Sequence, residues 1–241
     1  MGLPNSFSAV TTNSFTRRWG GTENGVDPYV SGYFFTHWAA LPDGLAAATQ
    51  VAGGNDGISS KGEIQDILKS TTLSVTLPGG TVNKAEFTGL GGIKWAVPTN
   101  VDFDNTVTIR FLEFSSLPIF AIIHGWVRMM RDYRTGASLL EEDAYTKSNY
   151  SGTLYYWTTK PDGKTVEYFA CLTGLFPMKD PSDQFGGDLT AYDKLEMDID
   201  WNVDYVWHED WVKDRCQSLA DSLVDSDRGN AENLGQAEPS E

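Results

Sequence analysis

Glu196, Asp198 and Asp200 occupy alternate positions near the end of this 241-residue chain, and two carboxylates fixed several ångströms apart are what glycosidic bond cleavage needs. On an extended strand, neighbours in that row stand roughly 7 Å apart on one face. The same row arises on any solvent-facing strand of an acidic protein, so the spacing alone does not specify catalysis. The three histidines, His37, His124 and His208, are too dispersed for a paired metal-ligand spacing. No glycine-rich phosphate loop ends in Gly-Lys-Ser/Thr, no Gly-x-Ser-x-Gly elbow occurs, and Cys171 has no flanking nucleophile signature. Cys171 and Cys216 read either as one bridge or as two unrelated free thiols. The acidic loop from Asp180 to Asp188 lacks the register of a calcium loop and reads as a turn. The chemistry-bearing residues therefore assign no catalytic group, metal or cofactor, and the expectation is a protein that is not an enzyme.

The elements that must carry these residues are mostly strands. Charged residues make up 21% of the chain and aromatics 12%, with 24 glycines and 10 prolines, a balance of strands and turns rather than of a helical bundle. The net charge of −15 excludes a basic grip on a phosphate backbone. No apolar run reaches about 18 residues and Met1 to Val10 has neither a basic start nor an apolar centre, so no membrane insertion and no secretory signal are expected.

Residues 1–28 read as an extended polar arm, and residues 29–208 as one domain. Tyr33 to Trp38 forms a strand with bulky residues on both faces. A long excursion at 43–70 follows, with a small-residue run (Leu45-Ala46-Ala47-Ala48) and a short helical pattern at Ile64, Ile67 and Leu68. Alternation predicts strands at Leu73 to Leu77, at Lys84 to Pro98 with glycine interruptions, and at Val107 to Phe111. One helix is expected next, capped by Ser115 or Ser116, with Ile119, Ile123, Trp126, Met130 and Tyr133 on its apolar side and Arg128, Arg131 and Arg134 on the other. Pro161-Asp162-Gly163 joins two strands into a hairpin. The longest alternation, Lys194 to Trp207, puts Leu195 through Trp207 on one face and Glu196, Asp198, Asp200 and Asp204 on the other. Residues 209–241 hold nine acids against Lys213, Arg215 and Arg228, −6 of the −15, and read as a short helix followed by a disordered acidic end.

Three of these signals, in this order, resemble the tail tube proteins of contractile-tailed bacteriophages: Leu73 to Pro78 before the glycines, Asp104-Asn105-Thr106-Val107-Thr108-Ile109-Arg110-Phe111 leading into the helix with Trp126, and Thr173-Gly174-Leu175-Phe176-Pro177 before an acidic loop. The resemblance spans roughly Val30 to Trp207. It implies a mainly β fold, a β-sandwich or small barrel with one flanking α-helix, assembling as hexameric rings that stack into a hollow tube with a continuous lumenal β-barrel. It further implies a virion tail location with assembly in the host cytoplasm. The implied partners are other copies of the chain, a tail sheath protein, baseplate and tail terminator proteins, and viral DNA as a non-specific passenger.

Within that frame Glu196, Asp198, Asp200 and Asp204 are expected to face the lumen, where like charge keeps DNA mobile. Arg128, Arg131, Arg134 and Trp38 are expected at subunit interfaces. The excursion 43–70 and the C-terminal extension exceed the compact family pattern and are candidates for outside decoration or inter-ring contacts. Two other readings stay open: a carbohydrate-binding β-sandwich using Trp38 or Trp157, and a tube component of a cellular contractile injection or secretion system.

Overall fold

The computed structural model describes residues 34–53, 58, 60–89, 92–132, 135–138, 146–160, 164–185 and 194–234. The expected N-terminal arm, Tyr133, Arg134 and the Pro161-Asp162-Gly163 turn lie outside them. A seven-stranded sheet runs in the order β1 (Phe34–Ala40), β6 (Gly152–Thr159), β7 (Val166–Pro177), β8 (Glu196–Asn202), β5 (Thr106–Leu112), β2 (Thr72–Thr76), with β9 (Tyr205–Trp207) also pairing with β7. All its pairings are antiparallel. The remaining strands, β3 (Gly80–Thr88) and β4 (Lys94–Phe103), form a two-stranded sheet of their own. The expected mainly β class holds, but among the described residues the sheet does not close into a barrel, and no described strand pairs with the outer edge of β1 or β2.

The sheet is folded over. β1 and β8 are three strands apart, roughly 14 Å in a flat sheet, yet the rings of Trp38 and Trp201 stand 5.0 Å apart. Trp126 completes the cluster at 5.9 Å from Trp38 and 5.2 Å from Trp201. The bend falls in β7, whose first part pairs with β6 and β9 and whose last two residues pair with β8. Gly174 sits at that bend with φ +76°, and a Cβ there would fall on the Asp204 carboxylate, so only glycine fits.

More than one helix covers the fold, against the single flanking helix expected. α1 (Leu45–Gly53) and α2 (Lys61–Thr71) come from the excursion, and they are core rather than decoration: Leu45, Ile64 and Leu68 are fully buried. The small-residue run explains itself here, because α1 crosses α3 (Pro118–Met130) so closely that a Cβ on Gly125 would lie 2.9 Å from the Thr49 backbone. α2 begins at Ser60, whose hydroxyl accepts from the Glu63 N–H at 3.3 Å.

The cap of α3 is not the serine expected. Leu117 at the N-cap is left-handed and makes no side-chain cap bond. Instead the buried Glu113 carboxylate accepts from the N–H groups of Phe114, Ile119 and Phe120 at 3.0, 3.2 and 2.7 Å. A negative group at the positive helix end satisfies donors that would otherwise be orphaned in the core.

The opposite face of the β1–β6–β7 leaf carries a smaller core. Trp157, Val166 and Cys171 of the sheet pack under Val212, Cys216 and Ala220 of α4 (Asp210–Leu234), with Phe35, Phe169 and Leu219 around them. This helix runs well beyond the short one expected. Gln217 fastens it: its Oε1 accepts from Val166 N–H at 3.2 Å and its Nε2 donates to Lys164 O at 2.8 Å, imitating a strand neighbour. Cys171 and Cys216 are free, buried and members of one cluster, not unrelated thiols. Burial pushes them up to about 11 and about 12.

Two outcomes follow. The indole N–H of Trp126 donates to Tyr150 O at 2.7 Å, whereas that of Trp201 is buried without a partner. Trp126→Phe should therefore cost about 1 kcal/mol more than Trp201→Phe in urea unfolding, since only the former gives up a hydrogen bond; equal costs would contradict the assignment. For the thiols, the thiolate is the reactive form, so the native chain at about pH 8 should react with an aromatic disulfide reagent orders of magnitude more slowly than the unfolded chain. Prompt native labelling would contradict their burial.

Candidate assembly surface

Outside the body, one feature lacks the burial that strands require. All ten residues of β4 are exposed, and so are most of β3. Val82, Phe87, Ile93, Trp95, Val97 and Val101 are between 51% and 68% exposed, and Phe103 is 44% exposed. In cross-strand register Phe87 faces Trp95, Ala85 faces Val97 and Val82 faces Val101. The ends are tied locally, by Gly89 N–H to Ile93 O at 2.8 Å and Asp104 N–H to Gly79 O at 3.1 Å. A lone hairpin is marginal in water and wide apolar patches on a monomer mark interaction sites. Seven large apolar side chains exposed together on one two-stranded arm form a patch of the kind that marks an interface. The alternation in Lys84 to Pro98 indicated strands, but nothing local indicated that neither face would be covered.

The acid row is real over three of its four residues. Glu196, Asp198 and Asp200 are exposed on one face of β8, while Met197, Ile199 and Trp201 fill the core from the other. Their neighbours on β5 answer them: Arg110 grips Asp198 through Nε at 2.7 Å and Nη2 at 3.0 Å and reaches Glu196 at 3.5 Å, and the Thr108 hydroxyl donates to Asp200 at 2.7 Å. The paired Asp198 raises the guanidinium pKa, so Arg110 is a permanent cation in the row. Three acids less one arginine leave a net −2 on this face. Ser74 and Thr76 of β2 continue it in register beside Arg110 and Thr108, giving a polar surface three strands wide. The other edge of β8 is closed by Gln184, which accepts from Asp198 N–H at 2.9 Å and donates to Asp198 O at 2.5 Å.

Asp204 does not belong to that row. The expected continuous strand breaks after Asn202, and Asp204 lies in the break, paired with Lys147 at 2.6 Å and packed on Gly174. The break also reverses the pattern beyond it: Val206 packs towards the core while Tyr205 is 64% exposed.

The expected interface residues fare differently. Trp38 is 1% exposed at the centre of its own chain's core, so its indole is not on the surface. Trp157 is equally buried, so neither indole can stack on a sugar as the carbohydrate reading required. Arg128 is half-buried against Asp132 at 3.3 Å, and Arg131 turns back to Gly136 O at 3.2 Å. The arginine stripe is thus largely engaged within the chain.

His124 and Asp180 form a second polar joint, holding α3 to the turn Pro181–Gln184. Burial raises the Asp180 pKa, but the Ser182 hydroxyl and N–H and the His124 ring outweigh it, and the net shift is downward. Among the described residues no three His, Cys, Asp or Glu side chains converge as a metal site would require. No described helix is long and apolar enough to cross a membrane.

No protein-family model matches the chain, and no curated protein sequence does. Solved structures give a likeness of fold. The sheath/tube terminator of an extracellular contractile injection system, PVC, in the extended state is 13% identical at a TM-score of 0.44, covering 76% of this chain and 96% of that one. The PVC sheath-tube complex is 14% identical at 0.41, covering 82% and 97%. The baseplate of the anti-feeding prophage is 9% identical at 0.45, covering 76% and 95%. At such identities and scores the likeness is one of chain course alone and carries nothing about what this chain binds or builds.

Proposed function

We propose that the chain is a structural subunit of a contractile tail tube, assembling through its β3–β4 arm into hexameric rings that stack around a channel for DNA. The exposed arm carries this reading. An apolar two-stranded ribbon outside its own core gains stability by lying on a second copy, which removes its apolar surface from water. Two supports join it. Among the described residues the main sheet ends in open strands, β1 and β2, available to neighbours in a ring. The β2–β5–β8 face is polar and net acidic, which suits a wall that DNA slides along without being held. Sheath, baseplate and terminator proteins are the partners this role entails, at an inner-tube location in the tail.

Negative-stain electron microscopy of the purified chain at high concentration should show six-fold rings or tubes. The double variant Phe87→Ser, Trp95→Ser should keep the monomer's circular dichroism and lose the rings, because both side chains are exposed and contribute nothing to the body's core. A wild-type chain that stays monomeric at high concentration would overturn the assignment, as would full assembly of the variant.

The channel wall gives a separate outcome. Glu196→Lys with Asp200→Lys leaves the Arg110–Asp198 pair intact and changes the charge of the face by +4 per subunit, from −2 to +2. Particles built from it should assemble normally but release DNA slowly, with the delay shrinking at high salt. Unchanged release kinetics would place the acid face elsewhere than the lumen.

A further inference from the structure

On a chain of net charge −15, two basic side chains from different elements, His37 and Lys69, line one cavity. It has a volume of about 200 Å³ and opens between β1, β6, α2 and α4. Its polar side holds His37 of β1 with Asp66 and Lys69 of α2, while Arg215 of α4, which is not part of the lining, adds positive charge felt by His37. Tyr155 on β6 is the register partner of His37, and burial raises its pKa, keeping it neutral. Asp66 is the one acid that offsets the basic groups acting on His37. The apolar side is Trp157, Leu219 and Leu223. The Trp157 indole N–H is buried without a partner, while Gln65 is already committed to Trp38 O.

We propose that this cavity binds a small organic oxyanion, a phosphate or carboxylate on a compact apolar body, and that the ligand bridges α2, β1 and α4. The charged head answers Lys69 and His37, and the apolar body lies against Leu219 and Leu223. Burial, then Lys69 and Arg215, hold the empty site's His37 below its ordinary pKa, with Asp66 opposing. An anion beside the ring reverses that balance and raises the pKa, so by linkage affinity strengthens as pH falls from about 8 to about 6. Because α4 is held by a small core, an occupant here also fastens that helix. None of this depends on the tube assignment.

Phenyl phosphate and inorganic phosphate, titrated calorimetrically into the full chain at both pH values, test it. Expected are saturable one-site binding of phenyl phosphate, weaker binding of inorganic phosphate, and an upward shift of the His37 titration followed by NMR. Lys69→Ala should weaken phenyl phosphate about tenfold, and Asp66→Asn should tighten it, an outcome no misfolded variant could imitate. No saturable binding, binding unmoved by either substitution, or equal affinity for the two phosphates would overturn the proposal.

Discussion

Three tryptophans from three elements, Trp38 of β1, Trp126 of α3 and Trp201 of β8, must meet within 6 Å for this chain to have a core. A flat sheet cannot bring the first and last together, so the meeting obliges β7 to bend, and the bend obliges a left-handed residue at position 174. α3 then fills the mouth of the folded sheet, and its buried N-terminus is made tolerable by the Glu113 carboxylate. The close crossing of α1 against Gly125 follows from the same demand for a helix pressed deep between the leaves.

With the body self-contained, unsatisfied surface becomes informative. Two glutamines show how thoroughly the body closes itself, Gln217 at the start of β7 and Gln184 along β8, each supplying both halves of a missing strand neighbour. Against that background an arm with seven large apolar side chains in solvent is not loose design. On the proposed reading, its unsatisfied burial answers a surface on another copy, and the net acidic face with one embedded arginine suits a passenger that is not held.

Much of this was legible in the residues. Alternation located β2, β5 and β8, the Pro161-Asp162-Gly163 turn signal located the β6–β7 hairpin, and three-to-four spacing located α3. Three things were not legible. The helices of the excursion are alanine-rich or polar, and what they bury depends on a crossing that local periodicity does not encode. Trp38 looked available because a strand with bulky residues on both faces suggests an exposed side, but two cores cover it, one on each face. The Glu113 cap acts across a left-handed residue, outside the serine pattern that marks ordinary helix starts. Of the assembly surface, the acids of β8 followed from alternation, whereas Asp204 was carried along by a period that the turn at 203–204 interrupts. The arm read as strands, and only tertiary structure shows that nothing in the described chain covers them.

The role proposed for the β3–β4 arm is that of an intersubunit element. Hydrogen exchange followed by mass spectrometry, on dilute monomer and on assembled particles, measures it directly. Amides of residues 80–103 should exchange fast in the monomer and become among the most protected upon assembly, while the tryptophan core stays protected in both states. An arm that exchanges equally fast in assembled particles, or one already protected in the monomer, would contradict the account.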